Sequence, residues 1–213
     1  GIYARKQLKN FFSLSFLKKW IKLSWVPIYP ELTSAIFRSD VIIFSIITGS
    51  VFGIAYWTVA NTITLLISKT GLLYNSTYAK TLQGGENSWF NTNLLHTFYF
   101  LIPFTVMTIV FSKPALFALN PIYESAVPIL IILSLVMFVR TIGGAFLVFL
   151  MGYEKVDTND DSSTKDYLSS KLIHLPTIKL IQNTFYLVIL AVGLLILMNF
   201  GISEIDLLIY WAL

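Results

Sequence analysis

Arg140 is the residue of this chain best placed to do chemistry. It lies near the middle of the apolar stretch 127–151, with about a dozen residues on either side. That is too far from either end for a guanidinium to reach water easily. Holding an arginine at such a depth costs about 2.5–3.5 kcal/mol on insertion scales, so it needs a partner. A guanidinium is suited to bidentate contact with phosphate. Gly143 and Gly144 follow it and would let a partner approach closely. Two roles remain open: a cation facing a polar cavity, or one half of a structural ion pair with another helix.

Other polar residues share apolar helices with it in prospect. Ser24, Pro27, Glu31, Ser34 and Arg38 recur at steps of three and four, which places them on one helix face. A stripe that includes Glu31 is hard to assign to packing alone. Gly53, Trp57, Ala60, Asn61, Thr64 and Ser68 repeat the spacing further on. Small residues in such a stripe also allow close helix packing, so both roles stay open there. The cavity candidates are therefore Arg140, Glu31, Asn61, Trp57 and Thr64. Arg38 and Asp40 read as an interfacial salt bridge at the outer end of their segment.

Signs of catalysis are lacking. His96 and His174 fall in different segments without acidic partners nearby in sequence, and no nucleotide-binding, serine-hydrolase or zinc-protease motif occurs. Asp157, Asp160, Asp161 and Asp166 do not follow calcium-loop spacing. There is no cysteine, so no disulfide, zinc–thiolate or iron–sulfur framework is possible. We expect neither an enzyme nor a metal or cofactor site.

The elements that must position these residues are read from hydropathy. Of 213 residues, 56% are hydrophobic and 12% charged, and the mean hydropathy is +0.74. Five apolar stretches, near 23–47, 49–68, 94–112, 127–151 and 177–199, each approach the ~20 residues a helix needs to cross ~30 Å of hydrocarbon. A partial sixth begins at about 202. Helices satisfy their own backbone in lipid, and no alternating strand pattern appears. The expected fold is an all-α, polytopic membrane helix bundle over 23–213. Residues 1–22 are expected to form a basic, aromatic segment lying on an anionic leaflet. Pro27 and Pro30 are expected to kink or break the first span. The connector 69–93 reads as polar, with Gly84 and Gly85, and 152–176 as a mobile, acidic loop. The sequon Asn75-Ser76-Thr77 falls on the inner side in the orientation derived below. The chain starts at Gly1 and its last apolar run, Ile205–Leu213, is too short to span. We therefore expect a fragment whose parent continues at both ends.

Charge placement orients the bundle. With the N-terminal segment inside, Arg5, Lys6, Lys9, Lys18, Lys19, Lys22, Lys69, Lys80, Lys155, Lys165, Lys171 and Lys179 all lie inside. Only Arg38 and Lys113 lie outside. That bias matches the enrichment of cytoplasmic connectors in Lys and Arg. The basic N-terminus abuts a span, which argues for membrane lipids as its partner and against nucleic acid.

Three stretches carry a resemblance. One is Ser34-Ala35-Ile36-Phe37-Arg38-Ser39-Asp40-Val41-Ile42-Ile43, a proline-bearing helix closing on an Arg-x-Asp turn. The next is Gly53-Ile54-Ala55-Tyr56-Trp57-Thr58-Val59-Ala60. The third runs from Asn120-Pro121-Ile122-Tyr123-Glu124-Ser125-Ala126 through Pro128-Ile129-Leu130 to Leu150-Met151-Gly152-Tyr153-Glu154-Lys155. Tyr78-Ala79-Lys80 through Gly84-Gly85-Glu86 adds a loop. In order and spacing these stretches resemble the second half of the polysaccharide and lipid-linked oligosaccharide flippases. Those belong to the multidrug/oligosaccharidyl-lipid/polysaccharide exporter superfamily. The resemblance covers most of 22–201 and implies helices seven to eleven and the start of twelve. A proline common before the eighth–ninth loop is absent around Asn75.

The resemblance implies two six-helix halves around a central cavity. It implies a multi-pass cell-membrane transporter that flips polyprenyl-linked saccharides by alternating access. The partners it implies are the lipid-linked saccharide and the missing N-terminal half. It carries over no site residue. From the residues, Arg140 would hold the lipid pyrophosphate, and Glu31 would modulate the cavity or couple a cation. The alternatives are a cation-coupled drug or metabolite antiporter of the same superfamily and a non-transporting structural membrane protein. An antiporter would favour a negatively charged cavity. A scaffold would need no charged midplane residue.

The orientation is testable in this cysteine-free chain. A single cysteine at Ser162 should react with a membrane-impermeant maleimide in inside-out vesicles and stay unlabelled in intact cells. Labelling from outside intact cells would overturn the expected topology.

Overall fold

A computed structural model describes residues 21, 23–82, 87–154, 156 and 164–213. The expected interfacial segment 1–22, save Ile21, the Gly84-Gly85 pair and most of the acidic run 155–163 lie outside the described residues. Those that are described form helices and their connections, without a strand. In chain order the helices are α1 (Trp25–Phe37), α2 (Asp40–Thr48), α3 (Val51–Lys69), α4 (Asn75–Leu82) and α5 (Asn87–Val110). They continue as α6 (Ser112–Leu119), α7 (Val127–Gly152), α8 (Thr164–Leu168), α9 (Lys171–Asn199) and α10 (Glu204–Ala212). Short 3-10 turns join α3 to α4 and α6 to α7.

Among the described residues, four helical segments are long and apolar enough to cross a membrane: Val51–Tyr78, Trp89–Val110, Pro121–Gly152 and Lys171–Asn199. Large apolar side chains such as Phe52, Leu95, Tyr99, Val106, Ile181 and Phe185 are exposed along them. Water would not accept so much apolar surface, whereas lipid does. This is the make-up of a membrane-embedded helix bundle.

The count of five complete spans needs correction at the first one. The stretch 23–47 is two helices of 13 and 9 residues, too short singly to cross. The prolines are not the cause. Pro27 sits in the first turn of α1, where its missing N–H would have no partner anyway. Pro30 removes the one helical bond its N–H would give four residues back, and the helix runs on past it to Phe37. The break comes at Arg38 and Ser39. There the Ser39 N–H bonds Ile36 only three residues back at 3.1 Å, and the Val41 N–H donates to the Asp40 side chain at 2.8 Å. Gly49, at a φ of +64°, then ends α2 in the left-handed conformation that glycine adopts without a Cβ clash. Ser50 caps α3 by accepting from the Gly53 N–H at 2.8 Å.

The described residues of the polar connector 69–93 are largely helical: a 3-10 turn, α4 and the first turns of α5. Thr77 of the sequon is fully buried, its hydroxyl accepting from the Asn93 amide at 3.0 Å. That pairing satisfies polar atoms which would otherwise be lone in an apolar setting. The last long span begins at Lys171, not near 177, which shortens the expected loop.

Packing divides the bundle in two. α7 is the hub of one part, lying against α3, α4 and α5. α9 is the spine of the other, carrying α1 and α2. Tyr29 and Thr177 share a hydrogen bond at 2.9 Å, and the Asn183 amide donates to the Thr33 carbonyl at 3.0 Å, tying α1 to α9. α9 and α7 touch only lightly, and α10 bridges them, with Phe44, Leu130, Leu194, Leu208 and Trp211 buried together.

Close approach on α7 depends on glycine. A Cβ at Gly152 would fall 2.7 Å from the Thr81 Cβ of α4. That atom cannot swing away without moving its helix. Gly152→Val should therefore cost about 1–3 kcal/mol of stability. It should lower the thermal midpoint of detergent-solubilised protein, while Gly143→Ala, with nothing within 4 Å of its Cβ position, should not lower it.

Candidate cavity site

Between the two parts lies a cleft of about 1150 Å³. α7 gives it Arg140, α9 gives Lys179, Asn183 and Tyr186, and α10 gives Trp211. Ser34, Phe37 and Arg38 come from the end of α1, Asp40 from the start of α2, and Trp57 and Asn61 from α3. The break in the first apolar stretch is what turns both Arg38 and Asp40 toward this space. An unbroken helix would carry residues two apart on widely different faces.

At its floor is a buried carboxylate. Asp40 is 4% exposed. One oxygen accepts from the Val41 N–H at 2.8 Å and the other from the Trp211 indole N–H at 3.0 Å. Trp211, 1% exposed, is held in turn by rings. Its indole stacks on Phe44 at 4.4 Å between centroids and 18° between planes, and on Trp57 at 3.8 Å and 9°. The three stacked rings bury large apolar faces against one another. Four groups from α2, α3 and α10 are thereby locked into one unit.

Above that floor stands Arg140. Its guanidinium lies over the Phe37 ring at 4.2 Å, and Phe37 stacks on Tyr186 at 5.4 Å. A cation over an aromatic face gains about 0.5–2 kcal/mol. Arg140 and Asp40 interact through their charges. No carboxylate among the described residues comes within the 4.0 Å of an ion pair with Arg140. Lys179 is close enough to feel the same guanidinium as a like charge. Three cations, Arg38, Arg140 and Lys179, thus share the cleft with one carboxylate.

Arg140, Trp57 and Asn61 line the cleft together. Thr64 does not: it is fully buried, its hydroxyl spent on the Asn61 carbonyl at 2.8 Å. Glu31 does not either. It is exposed on α1 away from Thr33, the residue that faces α9 two positions on. Arg38 and Asp40 form no salt bridge: Arg38 is exposed, and Asp40 is buried with its charge facing Arg140. The ion pair seen among the described residues is elsewhere, Lys113 to Glu124 at 2.7 Å. Glu124's hydrogen bond and charge raise the Lys113 ammonium above its ordinary value.

Sequence reasoning missed Asp40 as the acid facing Arg140, and with it Lys179, Asn183, Tyr186 and Trp211. Trp211 carried no sequence signal for this role. Lys179 did, as a cation about two turns into α9, but it reads equally as a basic residue flanking a span. No family model, no curated protein and no solved structure matches the chain.

The Asp40–Trp211 pair makes a direct test. Trp211→Phe keeps the ring and removes the donor, leaving a buried carboxylate oxygen unpaired. It should cost about 1–3 kcal/mol. Adding Asp40→Asn should recover part of that loss in a double-mutant cycle read by thermal unfolding. Strict additivity would show that the two residues do not act as a pair.

Proposed function

We propose that this chain is part of a cell-membrane transporter that flips a polyprenyl-linked saccharide by alternating access. The observation that carries this reading is the excess of cations in the cleft, with Arg140 free of an ion pair among the described residues. A guanidinium at mid-helix, attracted but not paired by Asp40, has capacity left for an anion. The phosphate groups of a lipid-linked sugar supply one, and their prenyl chain suits apolar helices. A cation-coupled drug antiporter would call for an excess of acid instead, and a scaffold for no charge at this depth. The division of the bundle into parts built on α7 and on α9 suits a cleft that opens and closes between them. In this reading α1 and α2 together make one broken crossing, which puts the N-terminal segment and the 152–176 region both on the cytoplasmic side.

Binding of geranyl diphosphate to the protein in lipid nanodiscs tests the proposal. Arg140→Ala should weaken it about 10- to 100-fold, the loss of a charge-assisted hydrogen-bond pair. Arg140→Lys should fall between, since it keeps the charge but not the fork. In a flippase-deficient strain the alanine variant should fail to complement while still inserting, and the lysine variant should complement in part. Binding that survives Arg140→Ala, with a lowered melting temperature, would make Arg140 structural and remove the support for an anionic lipid.

A further inference from the structure

Trp57 and Asn61 are not accounted for by an anion at Arg140. They sit one turn apart on α3, on the face that borders the cleft. The plane of Trp57 is held rigid from behind: Trp211 lies parallel to it at 3.8 Å, Phe44 lies on Trp211, and Trp211 is pinned by Asp40. Trp57 itself is only half-buried. Beside it the Asn61 carboxamide, also half-buried, makes no side-chain hydrogen bond to a described residue, although it offers two donors and an acceptor.

The chemistry of a ligand for this pair can be narrowed. A cation would suit an aromatic ring, but Arg38, Arg140 and Lys179 share the cleft and repel it. A second anion would meet the electron-rich face of the indole and gain nothing there. A purely apolar chain would cover the Asn61 amide and leave its donors unpaired, at a cost. A pyranose satisfies both residues. Its axial C–H groups present an apolar face to the indole, and its rim of hydroxyls donates to and accepts from a carboxamide.

We infer that Trp57 and Asn61 form a subsite for a neutral pyranose ring attached to the anionic group at Arg140. The inference rests on the proposed binding of that group and adds a determinant for the sugar. Trp57 supplies a platform and Asn61 reads a hydroxyl. Asp40 and Trp211 act as positioning residues, since they fix the plane of the platform from beneath and do not meet the sugar.

The test compares two probes on the protein in nanodiscs: geranyl diphosphate and geranyl diphosphoglucose. The native protein should bind the glucosylated probe about tenfold or more tightly than the bare one. Asn61→Leu and Trp57→Leu should each bring that ratio close to one, whereas Trp57→Phe, which keeps a ring, should retain most of it. Thermal midpoints identify any variant that fails to fold. Asn61→Leu and Trp57→Phe leave a ring at position 57, so they test the subsite without opening the stack. Equal binding of both probes by the native protein, or a ratio unmoved by both leucine variants, would overturn the subsite and leave the anion reading standing. Failure of both probes to bind would remove the anion reading and the subsite with it.

Discussion

A carboxylate shut away from solvent must be held by donors, and in this chain the donor is Trp211. An ionised group in an apolar interior costs several kcal/mol unless it is paired and hydrogen-bonded. Asp40 meets that demand with the Val41 N–H, the Trp211 indole and the field of Arg140. The consequences spread outward. The Val41 contact accompanies the break between α1 and α2. The Trp211 contact draws α10 under the cleft and stacks it between Phe44 and Trp57. With the Gly53 N–H that donates to Glu204 at 3.2 Å, this contact gives α2, α3 and α10 a polar register, which apolar surface sets only weakly in lipid.

The same contact sets the electrostatics of the cleft. Asp40 is spoken for by two donors and stays short of an ion pair with Arg140, so it moderates the guanidinium without saturating it. Phe37 and Tyr186 give Arg140 an aromatic bed, which stabilises the cation while leaving its N–H groups for another acceptor. Lys179 and Arg38 add positive charge from α9 and α1. Such an excess is unfavourable in a low-dielectric setting and is relieved by an anion, which is why the cleft favours an anionic ligand over a cationic one.

Much of the bundle was legible from hydropathy. The stretches 49–68 and 127–151 correspond closely to α3 and α7, because long apolar runs leave a chain in lipid few options besides helix. Where the reading failed, the cause was local polar bonding that periodicity does not register. Pro27 and Pro30 drew attention as breakers, yet α1 runs through both, and the break falls at Arg38 and Ser39. The polar residues of 69–93 marked a connector, but Asn93, Ser76 and Thr77 bond one another across α4 and α5.

By itself the sequence determined that the chain builds a helical, lipid-compatible bundle and that Arg140 must find company inside it. Both follow from the cost of exposing backbone and charge to hydrocarbon, which depends on residue type and depth alone. Only the tertiary structure decided what that company is. It brought Asp40 from 100 positions away in the chain to Arg140, set Lys179 beside it, and left Glu31 and Thr64 out of the cleft. Stripes of polar residues at helical spacing show which side chains share a face, but the rotation of each helix is chosen by its neighbours. Here that choice was made by the pairing of Asp40 with Trp211, two residues 171 apart in sequence.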